Sequence, residues 1–203
     1  MDRGNTDMYM KKIGSSIMLI ILAAGCAMKE APPLKVFTLK TVTPVRTSNS
    51  IYRNKVLKVA YPQMLKERMG NKMLFSYSDS EQGVYQNSEW SNTVPKLLQG
   101  SLVAMLGKSR IFKAVLPVSS TAGEDLRLES MIYDFSHHVR GEASYAAVSV
   151  QFSLIDSSTG RLLRTKQFSY KESTRTTDAE GYVEATNRAV EKLARDLVIW
   201  LRQ

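Results

Sequence analysis

The chain has 203 residues, of which 43% are hydrophobic and 23% are charged. These values are typical of an ordinary globular protein and exclude a disordered or fibrous one. Its single cysteine excludes a disulfide framework, so the fold depends on its core for stability. The formal net charge of +9 favours anionic partners.

The first feature in chain order is an apolar run that follows two lysines. Lys11 and Lys12 precede the uncharged residues 13–25, which end in Leu-Ala-Ala-Gly before Cys26. A basic start, a short apolar run and small residues before a cleavage point are typical of a secretory signal peptide. The run is too short to be read first as a membrane-spanning helix, which needs about 20 apolar residues. We therefore expect residues 1–25 to be a signal peptide, with an uncleaved anchor helix as the alternative.

The end of this run resembles a bacterial lipobox, so we expect cleavage between Gly25 and Cys26. Cys26 is then the lipidation site, because a thiolate is the nucleophile that accepts a lipid, and it would carry acyl chains such as palmitate. Lipoproteins retained at the inner membrane have aspartate at the next position. Ala27 stands there instead, which predicts the outer membrane, on its periplasmic face. Acidic residues near the start leave Met1, Met8 and Met10 as alternative start positions.

Residues 26–33 form a short tether, and strands separated by polar turns follow it. The tether spans at most about 28 Å when extended. Apolar patterns predict strands at 34–39, 56–60, 73–77, 84–85, 111–115, 126–135, 148–154 and 162–170. The apolar positions of the sixth strand change phase, which predicts a β-bulge near Glu129 and Ser130.

Two segments have the periodicity of amphipathic helices. In residues 94–106 apolar side chains recur at helical spacing, and Gly107 is the predicted end. Residues 177–180 read Thr-Asp-Ala-Glu, a capping box from which a helix runs to about Arg202. At 1.5 Å per residue that second helix is roughly 36 Å long, enough to span a sheet.

These elements predict an α+β fold in a single domain over residues 34–203. We expect a two-layer sandwich in which two long helices cover one face of a mostly antiparallel sheet of about eight short strands. The other face is left for solvent or for binding. Trp90 and Trp200 have two interpretations, as core packing or as interface residues, because aromatic residues are enriched at interfaces.

The sequence contains no recognisable catalytic or metal-binding set. His137 and His138 are the only histidines, and adjacent strand residues point to opposite faces, so they cannot easily share one metal ion. The Gly-x-Ser-x-Gly and glycine-rich phosphate motifs are absent. Asp134 and Asp156 have the positions of strand-edge and turn residues rather than of a catalytic pair. We therefore predict no enzyme activity, no cofactor and no metal.

Three groups of residues resemble one family in their order and spacing. The groups are Tyr85 and Trp90 with Pro95, Leu97, Leu98 and Leu102; the segment 153–163 with Phe168; and Ala185, Asn187 and Ala189 with the closing segment 198–201. Together with the lipobox, they are similar to the ABC-type transport auxiliary lipoproteins, the group that contains paraquat-inducible protein C. The resemblance covers nearly the whole chain after Cys26.

The resemblance implies a non-enzymatic outer-membrane component of an MCE-type transport system. In such systems an inner-membrane permease and ATPase work with a periplasmic MCE protein that carries lipids or other apolar molecules. A second copy of the chain is a further expected partner. Behind a secretory signal, the positive charge fits an acidic protein or anionic lipid, and we expect no nucleic acid partner. The alternative is a structural or assembly lipoprotein that binds peptidoglycan or an envelope complex; a periplasmic hydrolase lacks a catalytic set.

Overall fold

The computed structural model describes residues 32–40, 50–64, 70–78 and 80–202. The segment Leu34–Gln203 forms one compact unit. The predicted signal peptide, with Gly25 and Cys26, lies outside the described residues, as does most of the tether. The division of the chain into signal peptide, tether and domain therefore stays a prediction.

Nine strands and two helices make up the described fold. The strands are β1 (Lys35–Phe37), β2 (Val56–Val59), β3 (Gln63–Met64), β4 (Lys72–Ser76), β5 (Gln82–Trp90), β6 (Ala114–Pro117), β7 (Leu126–Arg140), β8 (Ala143–Asp156) and β9 (Leu162–Ser173). The helices are α1 (Val94–Ser109) and α2 (Ala179–Arg202). The predicted α+β class is confirmed.

The sheet is mixed, so the prediction of a mostly antiparallel sheet was wrong. Its main path is β1-β5-β4-β7-β2-β6, with β3 and β8 also on β7 and β9 on β8. Five of the eight strand pairings among the described residues are parallel, and three are antiparallel. Three strands are also long rather than short, since β7, β8 and β9 have 15, 14 and 12 residues. Side-chain alternation is the same in both pairing modes, so the sequence pattern could not distinguish them.

Strand β7 is the centre of the sheet. One of its edges pairs with β8 along its length. Three short parallel strands share the other edge in succession, with β2 beside residues 126–128, β3 beside 131–132 and β4 beside 137–138. Because β2 runs parallel to β7 and pairs with its first residues, the starts of β2 and β7 lie at the same end of the domain.

A β-bulge interrupts β7 at Tyr133, where the register with β8 shifts between Ile132 and Asp134. The prediction near Glu129 and Ser130 was wrong by about three residues. Ser130 and Ile132 are both buried, so every second side chain still points inward as far as Ile132. Because Ser130 is polar, the sequence pattern did not show that this position faces the core.

The helix ends are set by backbone and side-chain geometry. Helix α1 continues two residues beyond the predicted Gly107 to Ser109, and Arg110 follows as its C-cap with a left-handed φ of 63°. At the start of α2, the Asp178 carboxylate accepts a hydrogen bond from the Gly181 amide at 2.9 Å, so the cap lies one residue after the predicted Thr177. A side chain at Gly181 would overlap a backbone carbonyl oxygen of the preceding loop, which explains the glycine.

Both helices contribute to one hydrophobic core. Helix α1 lies against β2 and β6, α2 lies against β8 and β9, and the helices also contact each other. The core includes Leu98 of α1, Leu193 and Leu197 of α2, and Phe152 and Leu154 of β8. Burial of one such side chain contributes roughly 1.5–3 kcal/mol to folding. The alternate residues of β7, β8 and β9 point away from this core, which leaves a second face of these strands.

Candidate interaction surfaces

Both tryptophans lie in the core rather than on a surface. Trp90 has no exposed surface, and its ring meets Phe135 and Tyr182 edge to face at centroid distances of 5.9 and 5.7 Å. Trp200 is 7% exposed and lies under the Arg164 guanidinium, 5.5 Å from the ring centroid. The geometry therefore fits the core interpretation of both residues.

A stack of three rings, those of His137 and Tyr182 buried and that of Tyr85 partly buried, lies beside Trp90. The His137 imidazole packs nearly parallel to the rings of Tyr85 and Tyr182, with centroid distances of 6.3 and 5.3 Å. The Tyr85 hydroxyl is 2.7 Å from Nδ1 of His137, while Nε2 is buried and has no hydrogen-bond partner. Burial is the main cause that lowers the pKa of His137 to about 4, with a further contribution from His138, and Asp178 opposes the change. His137 is therefore neutral near pH 7.

The adjacent His138 points to the second face, as the alternation of strand residues predicted. Its Nδ1 is 3.1 Å from the Ser76 hydroxyl, and its Nε2 is 2.9 Å from the Asp134 carboxylate. These are the residue types of a hydrolase triad, but Ser76 is only 2% exposed. Its hydroxyl is thus closed to a substrate, and the network serves to fix β4 on β7 where they share only two residue pairs.

The described part of the chain offers no arrangement of three or more His, Cys, Asp or Glu side chains that could hold a metal ion. Neither α1 nor α2 is long and apolar enough to cross a membrane.

Uncharged polar side chains cover much of the second face of β7, β8 and β9. We call this set the polar face: Tyr133, Ser149, Gln151, Ser153, Thr165, Gln167 and Ser169. Hydrogen bonds cross the strands here, from Gln167 to the Ser149 hydroxyl at 3.0 Å and between the Ser149 and Ser169 hydroxyls at 2.8 Å. Tyr133 is 46% exposed, and its hydroxyl donates to Gln151. The polar face is therefore an ordered array of hydroxyl and amide groups.

A groove of about 300 Å³ borders the polar face where β2 leads into β3. Gln63, Glu129, Met131 and Gln151 line it. The groove therefore contains the carboxylate of Glu129 beside the two amides of Gln63 and Gln151.

The outer edge of β9 is the second exposed feature of this region. In the described fold β9 pairs only with β8, so a 12-residue edge carries unpaired backbone groups. Lys166 and Lys171 lie over the rings of Phe168 and Tyr145, with the ammonium 4.9 and 5.2 Å from the centroids. Lysines on an edge oppose pairing between two identical basic edges and favour an acidic partner.

The sequence predicted an open second face, but it did not show that polar residues from two strands form one surface there. Ser149, Gln151 and Ser153 alternate with buried apolar residues on β8. Thr165, Gln167 and Ser169 have the same spacing on β9. On each strand alone, these residues look like an ordinary solvent-facing pattern. They form one surface only because the pairing of β8 with β9 places Ser149 opposite Ser169.

Comparison with known proteins places the chain in a class of transport lipoproteins. Its sequence matches the family described as ABC-type transport auxiliary lipoprotein component over residues 37–198, and the chain belongs to that family. A family of this kind implies an envelope protein held by a lipid anchor, and it is not a known enzyme family. No functionally curated protein matches the chain.

Two solved structures support the fold. Protein XCC0632 from Xanthomonas campestris superposes with a TM-score of 0.74 at 18% identity, and the match covers 83% of this chain and 95% of that one. An uncharacterised protein superposes with a TM-score of 0.65 at 16% identity, covering 83% and 99%. At these identities the similarity shows a shared fold.

Proposed function

We propose that the chain is an outer-membrane-anchored periplasmic lipoprotein that acts as a non-enzymatic auxiliary component of an MCE-type ABC transport system. In this role it binds the periplasmic MCE protein and so links the outer membrane to a permease and ATPase that move lipids or other apolar molecules. The observation that carries the proposal is the family match, which spans nearly the whole domain.

The lipobox supports the anchoring part of the proposal. Cleavage before Cys26 would leave an acylated cysteine and a tether of eight residues. Because the tether spans at most about 28 Å, the domain is held close to its membrane, where a partner must reach it.

The polar face and the β9 edge support the binding part. An open edge accepts an extended segment of another chain through backbone hydrogen bonds, and the adjacent side chains give specificity. The two lysines of this edge favour a segment with acidic residues. A second copy of the chain is the competing occupant, and it is disfavoured at this edge by repulsion between like charges.

Site-specific crosslinking in the periplasm tests the proposal. A photoreactive residue at Gln167 or Ser169 should crosslink to the MCE protein, because both side chains are exposed on the polar face. The same residue at Glu191, exposed on α2, is the matched control and should give little product. If the folded chain gives no MCE crosslink from any position on the second face or on β9, the transport role loses its support.

The alternative is a structural lipoprotein that binds peptidoglycan. The specific observation in its favour is the polar face, since uncharged hydroxyl and amide groups are suited to hydrogen-bonding a glycan. Retention of the chain on isolated cell-wall sacculi, lost on Gln151→Ala with Gln167→Ala, would favour this alternative over the transport role.

A further inference from the structure

One end of the domain gathers the starts of several strands and the last turns of both helices. The Lys113 amide donates to the Lys55 carbonyl at 2.9 Å, which joins the segments leading into β6 and β2. Leu126, at the start of β7, lies opposite Asp156, at the end of β8. Helix α2 ends at the same place, because the Trp200 carbonyl accepts a hydrogen bond from β9 near its start.

This end carries five cations that form no ion pair with a described carboxylate, although Lys113 contributes to the lowered pKa of Asp125. The side chains that make no ion pair with a described residue are Lys108, Arg110, Lys113, Arg161 and Arg202. We call this part of the domain the basic end. Cations stabilise the last turn of a helix, which accounts for two of the five. The other three lie outside the helices and have no such structural reason.

Two carboxylates at this end, those of Asp125 and Asp156, accept hydrogen bonds from backbone amides. Asp125 accepts a hydrogen bond from the Val56 amide at 2.7 Å, and this bond is the main cause that lowers the pKa of Asp125. Asp156 accepts the Ser158 and Thr159 amides within its turn, each at 3.0 Å. Both carboxylates keep their negative charge, but Asp125 also pairs with Lys55, so the five cations remain in excess at the basic end.

Two aliphatic side chains project from separate turns at this end. Ile51 is 71% exposed, and Leu162 is 54% exposed. The turn that carries Ile51 is fixed, because the neighbouring Tyr52 ring stacks on Phe112 with a centroid distance of 5.9 Å. Ile51 is thus held outward by the fold.

We propose that the basic end docks on an anionic lipid bilayer, with Ile51 and Leu162 entering the interface while the surrounding cations contact lipid phosphates. Five adjacent strands, β9, β8, β7, β2 and β6, each have one terminus at this end, and at the usual strand spacing they form a row about 19 Å wide. Two isolated aliphatic tips set among cations favour a bilayer over an acidic protein. A bilayer accepts such tips without a matching cavity, and it combines apolar burial with charge attraction.

The basic end lies far from the point where the chain enters the domain. Lys35, at the start of β1, forms an ion pair with Glu180 in the first turn of α2, and the basic end is at the other end of this helix. A helix of 24 residues is about 36 Å long. Docking through the basic end is therefore a membrane contact additional to any anchor at Cys26, and it does not rest on the proposed transport role.

Co-sedimentation with vesicles tests the proposal. The chain from residue 26 with Cys26→Ser keeps every described helix and strand and removes the lipid anchor. It should sediment with vesicles of phosphatidylcholine and phosphatidylglycerol, less so at high salt, and not with phosphatidylcholine alone. Lys108→Glu with Lys113→Glu should weaken binding by about 25-fold or more, since each cation near an anionic surface contributes about fivefold.

Matched variants separate the outcomes. Lys96→Glu with Arg175→Glu makes the same charge change away from the basic end and should bind like the parent. Ile51→Ser should weaken binding by about fivefold without affecting the fold, as thermal melting would verify. Equal loss in both charge variants, or no binding to anionic vesicles, would overturn the proposal. Unchanged binding of Ile51→Ser would also overturn it, because a purely electrostatic site fits an acidic protein equally well.

Discussion

Protonation of His137 should destabilise the fold in mildly acidic solution. The imidazole has no exposed surface, is stacked between two tyrosine rings, and has one ring nitrogen without a partner. A positive charge on this imidazole would lose its hydration. The attraction of the Asp178 carboxylate offsets only part of that cost. The folded chain therefore keeps His137 neutral to a lower pH than the unfolded chain does.

The magnitude follows from the two pKa values of this residue. His137 has a pKa of about 4 in the folded chain, against an ordinary value of 6.5. Between these values the unfolded chain binds more protons, so the free energy of unfolding falls as the pH falls through this window. The whole window corresponds to roughly 3 kcal/mol, of which about 2 kcal/mol is lost between about pH 7.5 and pH 5.

Urea denaturation of the chain from residue 26 measures this effect. The free energy of unfolding should be about 2 kcal/mol lower at about pH 5 than at about pH 7.5. His137→Phe keeps a ring in the stack but cannot be protonated, so its stability should change much less over the same range. His138→Gln is the control and should retain most of the pH dependence of the parent, because burial is the main cause of the lowered pKa of His137 and His138 is the smaller one. Above about pH 5 the carboxylates stay ionised and contribute little to the slope.

A His137→Phe variant with the same pH dependence as the parent would refute the argument. It would show that the imidazole is hydrated in solution or that another group titrates in this window. Loss of the slope in His138→Gln would assign the effect to the network on the second face instead.

Three further changes have definite expected outcomes. Trp200→Ala should cost about 3–5 kcal/mol in urea denaturation because its ring is buried, whereas Ile199→Ala beside it should cost under about 1 kcal/mol. Gly181→Ala should destabilise by about 1–3 kcal/mol because its Cβ would overlap a carbonyl oxygen, while Gly100→Ala in open space should stabilise slightly; equal effects would contradict the close approach. Cys26→Ser should abolish acylation, and unchanged labelling with palmitate would exclude this residue as the lipid site.

The elements with strong local signals were predictable from the sequence. The apolar stripe that includes Tyr182, Leu193 and Trp200 predicted α2 to its last turn. The polar turn at 156–160 predicted the hairpin of β8 and β9 because Gly160 allows a positive φ, which is 69° here. Strand alternation also predicted that His137 and His138 face opposite ways. Each of these inferences uses residues that are close in sequence.

The parallel pairings could not be predicted in this way. Strands β2, β3 and β4 each share only two or three residue pairs with β7, and nothing in their own side chains indicates which strand they pair with. The ring stack was hidden for the same reason, since Tyr85, His137 and Tyr182 come from three elements that only the tertiary fold brings together. Local periodicity reports burial, and it does not report which buried strands are neighbours.

The parallel pairing of β2 with β7 also determines which charged residues lie together. In an antiparallel pairing, the start of β2 would lie at the far end of β7, and Ile51 would be separated from Arg161. The parallel register instead places Leu57 beside Leu126, and Leu126 lies opposite Asp156, which leads into Arg161. The basic end therefore exists because β2 runs in the same direction as β7, although its residues are more than 100 positions apart in the sequence. A positive net charge alone could not have indicated this site.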